Sequence, residues 1–472
     1  MNATRLQFLV TMAHTLLGTF GFVHYGLLSP IESHVRRFIA DVEGLHDGHM
    51  LVSFYWGVAT STIFWAALLF FAPSVAALER LGRRHTIFFL YSGLVPANFQ
   101  SNYILECFVD SPVAGAFSIL PPTGVAAFTA VGALVGSPAF LGQAHNWHYG
   151  FLVAVPAMVV PASRNLEGAS RNGSLQALYM LVGLFLPESP KHLYQTRKEV
   201  EKAKKSAHFY SAGTADWAEL VNDYEKEMTA ASTSHLRASS LWRLAHYRMP
   251  ILITVALSCC VAFSEGDIAD HYAVEMVYAN GTGAMGRYST ALVNGILLQG
   301  FSVAATLLTA LLVERVRRRP FLLAGVGAGA MGTLTLTLRY VVPLRGSHFA
   351  WLKTSATVGG LLCCGFAMYV ILGLQPIFAD EAVTQRIRTF TYLLSRTVQD
   401  VLAGLAVLLY PLTVDTLGPS FFHGAMFFLC SLCFLWLWLR LPETKCKTMV
   451  QVLSHWTTFD DMTKVEEVSR FL

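Results

Sequence analysis

Charge is what this sequence has least of. Only 14% of its 472 residues are Asp, Glu, Lys or Arg, against about 25% in an ordinary soluble domain. With 54% hydrophobic residues, the chain falls outside the soluble, disordered and polyelectrolyte classes. Reactive patterns are missing too. The sequence holds no Gly-x-Ser-x-Gly elbow, no phosphate-cradling glycine loop and no His-Glu-x-x-His pair. Nothing therefore points to a hydrolase, a nucleotide-driven machine or a zinc enzyme, and the reading is of a non-enzyme with no cofactor and no metal. Its cysteines lie largely inside apolar runs, as at Cys259-Cys260 and Cys363-Cys364, and read as core thiols. The net charge of +4 is gathered in a few short loops, so it is an orientation signal and not a nucleic-acid footprint.

What the chain does have is long apolar runs. A helix must carry roughly 20 apolar residues to cross about 30 Å of hydrocarbon with its backbone bonds satisfied internally. The first half offers runs at 8–29, closed by Pro30, then 53–77, 85–108 and 113–141. A polar loop is expected over 32–49. Two shorter runs, 147–160 and 175–186, flank a polar interruption at 161–174 and together amount to one span. Residues 187–248 are hydrophilic and alternate Lys/Arg with Glu at helical spacing, which predicts short solvated helices. The second half is regular, with runs at 250–278, 289–313, 320–342, 352–378, 392–414 and 421–439.

Basic clusters at 79–84, 315–319, 386–396 and 445–447 mark the cytosolic loops, which puts both termini in the cytosol. A loop of the opposite side carries the sequon Asn280-Gly281-Thr282, so Asn280 is a glycosylation candidate. Two patterns occur twice, in the same order. Leu78-Glu79-Arg80-Leu81-Gly82-Arg83-Arg84 is echoed by Val313-Glu314-Arg315-Val316-Arg317-Arg318-Arg319. Leu186-Pro187-Glu188-Ser189-Pro190-Lys191 is echoed by Leu441-Pro442-Glu443-Thr444-Lys445. Each copy abuts an apolar run, the mark of an internal repeat of roughly half the chain. The expected domains are an N-terminal bundle (1–186, about five spans), a cytosolic linker (187–248), a C-terminal bundle (249–441, six spans) and a cytosolic tail (442–472).

These four motifs, in this order and each at a span's end, resemble the major facilitator superfamily, in particular its sugar-porter branch of glucose and fructose carriers. The resemblance implies an all-α membrane fold of twelve helices in two bundles, a central solute site and rocking of the halves. This chain departs from that plan. Leu78 to Leu186 spans 108 positions and the matching interval Val313 to Leu441 spans 128. Allowing for the interruption, about 34 residues are missing, a helix and its loop; about 11 spans are expected instead of twelve. The resemblance puts the loss at the family's third helix.

By the same resemblance, Glu79, Arg80, Gly82, Arg83, Arg84, Glu188, Glu314, Arg315, Arg317, Arg318 and Glu443 form a cytosolic gate of charge-assisted bonds. Arg317 stands where the first copy has Gly82, so a looser fit is expected there. The family lines its sugar site with amides and a tryptophan. Here the seventh helix reads Cys260-Val261-Ala262-Phe263-Ser264-Glu265-Gly266 and the tenth Gly373-Leu374-Gln375-Pro376-Ile377-Phe378, without the paired glutamines or the tryptophan. Asn294 matches the family pattern, and Gln299, Gln375 and Tyr369 join it as solute-contact candidates. The seventh span instead carries Glu265, Asp267, Asp270, His271 and Glu275. Ionisable residues in a span usually face a cavity; the other reading puts this stretch at the extracellular mouth. Three functions follow. The first is a facilitative carrier of a hexose or similar polar solute in the plasma membrane, with lipid and solute as partners and a homo-oligomer left open. The second is a carrier of a cationic or proton-coupled solute. The third is a transport-inactive paralogue or incomplete splice variant.

Overall fold

A computed structural model describes residues 3–18, 23–46, 48–69, 82, 84, 97–108, 111, 113–150, 185–232, 245–278, 284–342, 350–383, 385–447, 451–452 and 454–456. Among them there is helix and no strand. The first part of the chain contains α1 (Ala3–Gly18), α2 (Val23–Glu43), α3 (Met50–Leu69), α4 (Ala97–Cys107), α5 (Ala114–Ser118) and α6 (Leu120–Val135). Three shorter helices follow: α7 (Pro190–Gln195), α8 (Val200–Tyr210) and α9 (Trp217–Ser232). The second part contains α10 (Ala245–Phe263), α11 (Gly266–Tyr278), α12 (Ala284–Leu312), α13 (Arg318–Val341), α14 (Ala350–Ala382), α15 (Gln385–Leu417) and α16 (Pro419–Arg440).

Seven described stretches are long and apolar enough to cross a membrane, among them Ala114–Val135, Arg248–Val277 and Ala350–Ala382. Their outward faces are apolar as well. On α16, Phe428, Leu432, Leu435 and Leu439 recur every three or four residues and all stand exposed, the stripe of a helix that meets lipid. The protein is thus a multi-pass, all-helical membrane protein. The linker region is amphipathic instead. On α8, Ala203, Ser206, Ala207 and Tyr210 are buried at helical spacing, while Lys202 pairs with Glu199 at 2.8 Å on the wet side.

The repeat is visible in the packing. α3 lies against α15, and α6 against α12. The duplicated motifs equate α3 with α12 and α6 with α15, so the repeat exchanges one contact for the other. α2 packs on α11, which adds a further seam between the halves. Small residues set how closely helices approach. At Gly26 of α2 a Cβ would fall on the backbone carbonyl of Thr129 in α6, and at Gly57 of α3 it would lie 2.7 Å from the carbonyl of Leu408 in α15.

Three expectations change. Pro30 does not close the first span, and 32–49 is not a loop as far as Glu43: α2 runs through Pro30. Proline deletes one backbone bond, but the charged residues after it, Glu32 and Arg36, are paired inside the protein and keep the helix going. The basic stretch 386–396 is not a loop either, because α15 starts at Gln385. Arg388 folds back under α14, donating to the carbonyls of Asp380 and Val383 at 2.7 and 3.0 Å. The acidic stretch does not sit at a watery mouth: Glu265, Asp267 and Asp270 are 1%, 4% and 2% exposed.

Candidate functional site

The motif around Glu188 is a helix start. Ser189 is the N-cap of α7, its Oγ accepting from the backbone N–H of His192 at 3.3 Å, and Pro190 occupies the first turn. Serine before proline is the sequence pattern that does this. Glu188 is thereby turned away from the helix and toward the first basic motif. Its carboxylate accepts the backbone N–H of Arg84 through both oxygens, at 3.0 and 3.1 Å. Arg84 donates in turn to the carbonyl of Leu186 at 2.7 Å. Gly82 makes this approach workable. It has φ +90, and a Cβ there would lie 2.5 Å from the Glu188 carboxylate.

The second copy repeats the arrangement. Glu443 accepts the backbone N–H groups of Arg318 and Arg319, at 3.1 and 3.4 Å. These are the first free N–H groups of α13, where a carboxylate is favoured. Arg319 donates to the carbonyl of Trp438 at 2.8 Å. Arg317 replaces glycine because the backbone there is extended, with φ −66 and ψ 137. The linker docks on the first motif. Tyr103 and Tyr210 both donate to the carbonyl of Pro187, at 2.6 and 2.7 Å. Burial raises the Tyr210 phenol well above its ordinary 10.0, so it remains a donor.

Each motif carboxylate serves its own half. Glu188 bonds the first basic motif and Glu443 the second, and no described bond joins the two sets. Between the halves at this basic end lies a cavity of about 320 Å³, bordered by Glu106, Lys191, Glu314, Arg318, Asp380 and Glu381 among others. Arg318 pairs with Glu381 across its wall. Glu314 reaches over the seam, its carboxylate lying against Gly115 of α5, where a side chain would displace it.

The opposite end is tied across the seam. Arg36 of α2 donates to Glu275 of α11 at 3.3 Å, to Glu32 at 3.5 Å and to Ser53 of α3 at 2.9 Å. Ser53 donates to Asp415 of α15 at 2.5 Å. Nearby, the Ser29 hydroxyl accepts the N–H of Val274 at 3.4 Å. No motif marks Arg36, Glu32, Ser53 or Asp415 in the sequence. The available signal was Glu32 and Arg36 at i, i+4, hidden by the proline before them.

The middle of the bundle holds the buried carboxylates. The helix breaks at Glu265, whose φ of +61 is a left-handed conformation that a glutamate adopts only when its surroundings impose it. Its carboxylate meets His423 Nδ1 at 2.7 Å, both side chains sealed from solvent. After the break, Gly266 opens α11 where any side chain would strike Met368. Asp270 is held by two neutral donors, Gln299 of α12 at 2.9 Å and Tyr369 of α14 at 3.1 Å. Asp400 is held by Arg396 at 2.8 Å. Asp267 has a weaker hold, described below.

The sequence candidates are therefore dispersed. Gln299 and Tyr369 converge on Asp270. Gln375 is turned to Ser258 at 2.6 Å and to the carbonyl of Thr254 at 3.0 Å. Asn294 lies half-buried on α12, between Gln299 and the helix start. Of the gate set, Gly82, Arg84, Glu188, Glu314, Arg315, Arg317, Arg318 and Glu443 are described; Glu79, Arg80 and Arg83 lie outside the described residues, as does Asn280. No group of three or more His, Cys, Asp or Glu suited to a metal ion occurs among the described residues.

Comparison with known proteins gives one consistent result. The family described as sugar (and other) transporter matches residues 172–456. The chain is 28% identical over 369 residues to solute carrier family 2, facilitated glucose transporter member 2, of Mus musculus, covering 77% of this chain and 63% of that protein. It is 26% identical over 407 residues to member 3 of Ovis aries, covering 82% and 72%. The chain thus spans about 63% of the length of the first of these relatives. The solved structure of the proton:xylose symporter XylE, bound to 6-bromo-6-deoxy-D-glucose, superposes with a TM-score of 0.70 at 16% identity, covering 95% of this chain and 99% of that one. That likeness is one of fold.

Proposed function

We propose that this chain, which belongs to the sugar (and other) transporter family of major facilitator carriers, moves a hexose or a similar small polar solute by alternating access. The observation that carries the reading is the contrast between its two ends. Four polar side chains tie the halves together at the end of Arg36, while about 320 Å³ stays open between the same halves at the basic end. A carrier closed to one side and open to the other has this form. The basic motifs lie in the cytosol in this reading, as do both termini, and the membrane is the plasma membrane. The cavity is then the inward vestibule.

The solute's hydroxyls would meet Gln299, Tyr369 and Asp270 at mid-depth, with Asn294 toward the outer side. Each buried polar group left without a partner costs about 1–3 kcal/mol, so a polyol that pairs with several of them is favoured over an apolar solute. The motif contacts of Glu188 and Glu443 keep each half rigid while the halves rock. No ATP site is needed, since solute or ion gradients drive such cycles.

The test is uptake of labelled glucose and fructose in cells lacking their own hexose carriers, with surface delivery confirmed independently. Saturable uptake, reduced at least tenfold by Gln299→Ala and by Asn294→Ala, is the expected result. Normal surface delivery without uptake of either sugar would overturn the hexose reading.

A further inference from the structure

Asp267 is buried in a spanning segment without an adequate partner. Its Oδ1 receives only the Tyr25 hydroxyl at 3.5 Å, the outer limit of a hydrogen bond. Its Oδ2 has no partner, and neither does Nε2 of His271 one turn on. Both residues are almost fully sealed, at 4% and 0% exposure. His271 Nδ1 donates to the Asp267 carbonyl at 2.7 Å, so Nε2 presents a bare lone pair. Tyr25 joins the two, its ring packed on that of His271 with centroids 4.5 Å apart.

The surrounding charges do not balance Asp267. From its own helix come Asp270 and His271. α2 contributes Tyr25, and further out Glu32 and Arg36. α12 and α14 contribute only the neutral Gln299 and Tyr369. α15 contributes Arg396 and Asp400, which already pair with each other. Glu265, before the break, pairs with His423 of α16. The guanidinium near Asp267 is therefore already committed to Asp400, and Asp270 has only neutral donors. An isolated ionised carboxylate in such a place is expensive enough that it neutralises instead. What neutralises it has to be small. Tyr25, Phe64 and Tyr272 are buried together in one apolar cluster, an enclosure that favours a proton over an organic cation, and no metal-ligand group is present among the described residues.

We infer that Asp267 is a proton-binding site and that the carrier moves a proton together with its solute. Tyr25 and Asp267 lie on opposite sides of the α2–α11 seam, so opening the outer end would bring water to the carboxylate. There Oδ2 takes a proton from external water and forms an O–H bond, and the negative charge disappears. The neutral group can then be enclosed against Tyr25 and His271, with the solute one turn away on Asp270. Inward opening returns water, the O–H bond breaks, and the proton leaves to the cytosol. One positive charge enters per cycle. The coupling to solute rests on the carrier reading above; the proton site does not.

Two measurements on the full chain in proteoliposomes test this separately. The first is infrared titration for the carbonyl stretch of a protonated carboxylic acid. That band is expected near neutral pH in the wild type and is expected to weaken in Asp267→Asn. An unchanged spectrum in the variant, with the variant eluting and melting like the wild type, overturns the proton site. The second uses the wild type alone: sugar counterflow without a gradient, then net uptake under an inward gradient of one pH unit. One proton per solute allows up to about tenfold accumulation, because one pH unit is about 1.4 kcal/mol. Counterflow without accumulation overturns the coupling and leaves the sugar reading standing. A protonated Asp267 with no counterflow of glucose or fructose upholds the proton site and overturns the sugar reading. Asp267-dependent uptake of choline overturns the proton proposal, because the carboxylate's partner is then the solute.

Discussion

Replacing Arg36 by Gln should open the outer end, and the structure sets the size of the effect. Arg36 makes three contacts. The bond to Ser53, at 2.9 Å, is charge-assisted and partly buried, worth about 1.5–3 kcal/mol. The pair with Glu275 is worth little, because the Glu275 side chain is 43% exposed and solvent screening leaves about 0–1 kcal/mol. The contact with Glu32 is long, at 3.5 Å. Ser53 and Glu32 belong to the same half as Arg36, so only the pair with Glu275, about 0–1 kcal/mol, is tied directly to the state with the outer end closed. Losing it should shift the balance toward outward opening by up to about fivefold. Ser29 reports on this seam, since its hydroxyl meets Val274 across it. In Ser29→Cys, labelling by a membrane-impermeant maleimide from the outside should be slow. Adding Arg36→Gln should speed it by that factor, whereas Arg36→Lys should fall between the two. An unchanged labelling rate in the double variant would show that Arg36 does not hold the seam.

Other consequences can be checked by melting and yield in detergent. Gly26→Ala places a Cβ on the Thr129 carbonyl and should cost about 1–3 kcal/mol or more, whereas Gly48→Ala, with open space around it, should be neutral. Glu443→Gln removes the charge at the start of α13 and should lower stability by about 1–2 kcal/mol. Glu188→Gln should cost more, because Glu188 is 8% exposed and also accepts from the backbone of Ser189. Arg388→Met should destabilise by about 2–3 kcal/mol and Arg388→Lys should not rescue it, since the ion pair with Asp380 and the two carbonyl bonds need the guanidinium fork.

The fold was legible because two signals reinforce each other. Runs of about 20 apolar residues have one structural solution in lipid, and the duplicated motifs impose a repeat. The end of α2 was not legible. Proline ends helices in water, where the freed carbonyl and the following polar residues are solvated. Here Glu32 pairs with Arg36, which finds partners on α3 and α11, residues that are remote in sequence. The start of α15 escaped for the same reason, because Arg388 looks like a loop arginine until Asp380 is brought beneath it. Glu265, Asp267 and Asp270 stood out as costly residues, yet their depth could not be read from the run that contains them. Depth depends on the break at Glu265, and that break is stabilised by His423, 158 positions away.

The basic motifs do local work in this conformation. Conspicuous charges at the ends of spans invite a reading as a gate between halves. The bonds described in this conformation are nearer ones. Glu188 and Glu443 each close a helix start with the N–H groups of Arg84 or of Arg318 and Arg319, and Arg84 and Arg319 each reach back to a carbonyl before the acidic motif. All these bonds stay inside one half. A bond that never crosses the seam is equally strong in both conformations and cannot bias their equilibrium. The described contacts that can bias it are those that do cross, among them Arg36 with Glu275, Ser53 with Asp415, Ser29 with Val274, Thr60 with Tyr272, Tyr25 with Asp267, and Glu314 against Gly115. Those of Glu275, Asp415 and Asp267 place a carboxylate beyond the midpoint of the spans from the basic motifs. Selection between the two conformations is therefore expected to act mainly there, while the motifs supply the rigidity that lets each half move as a unit.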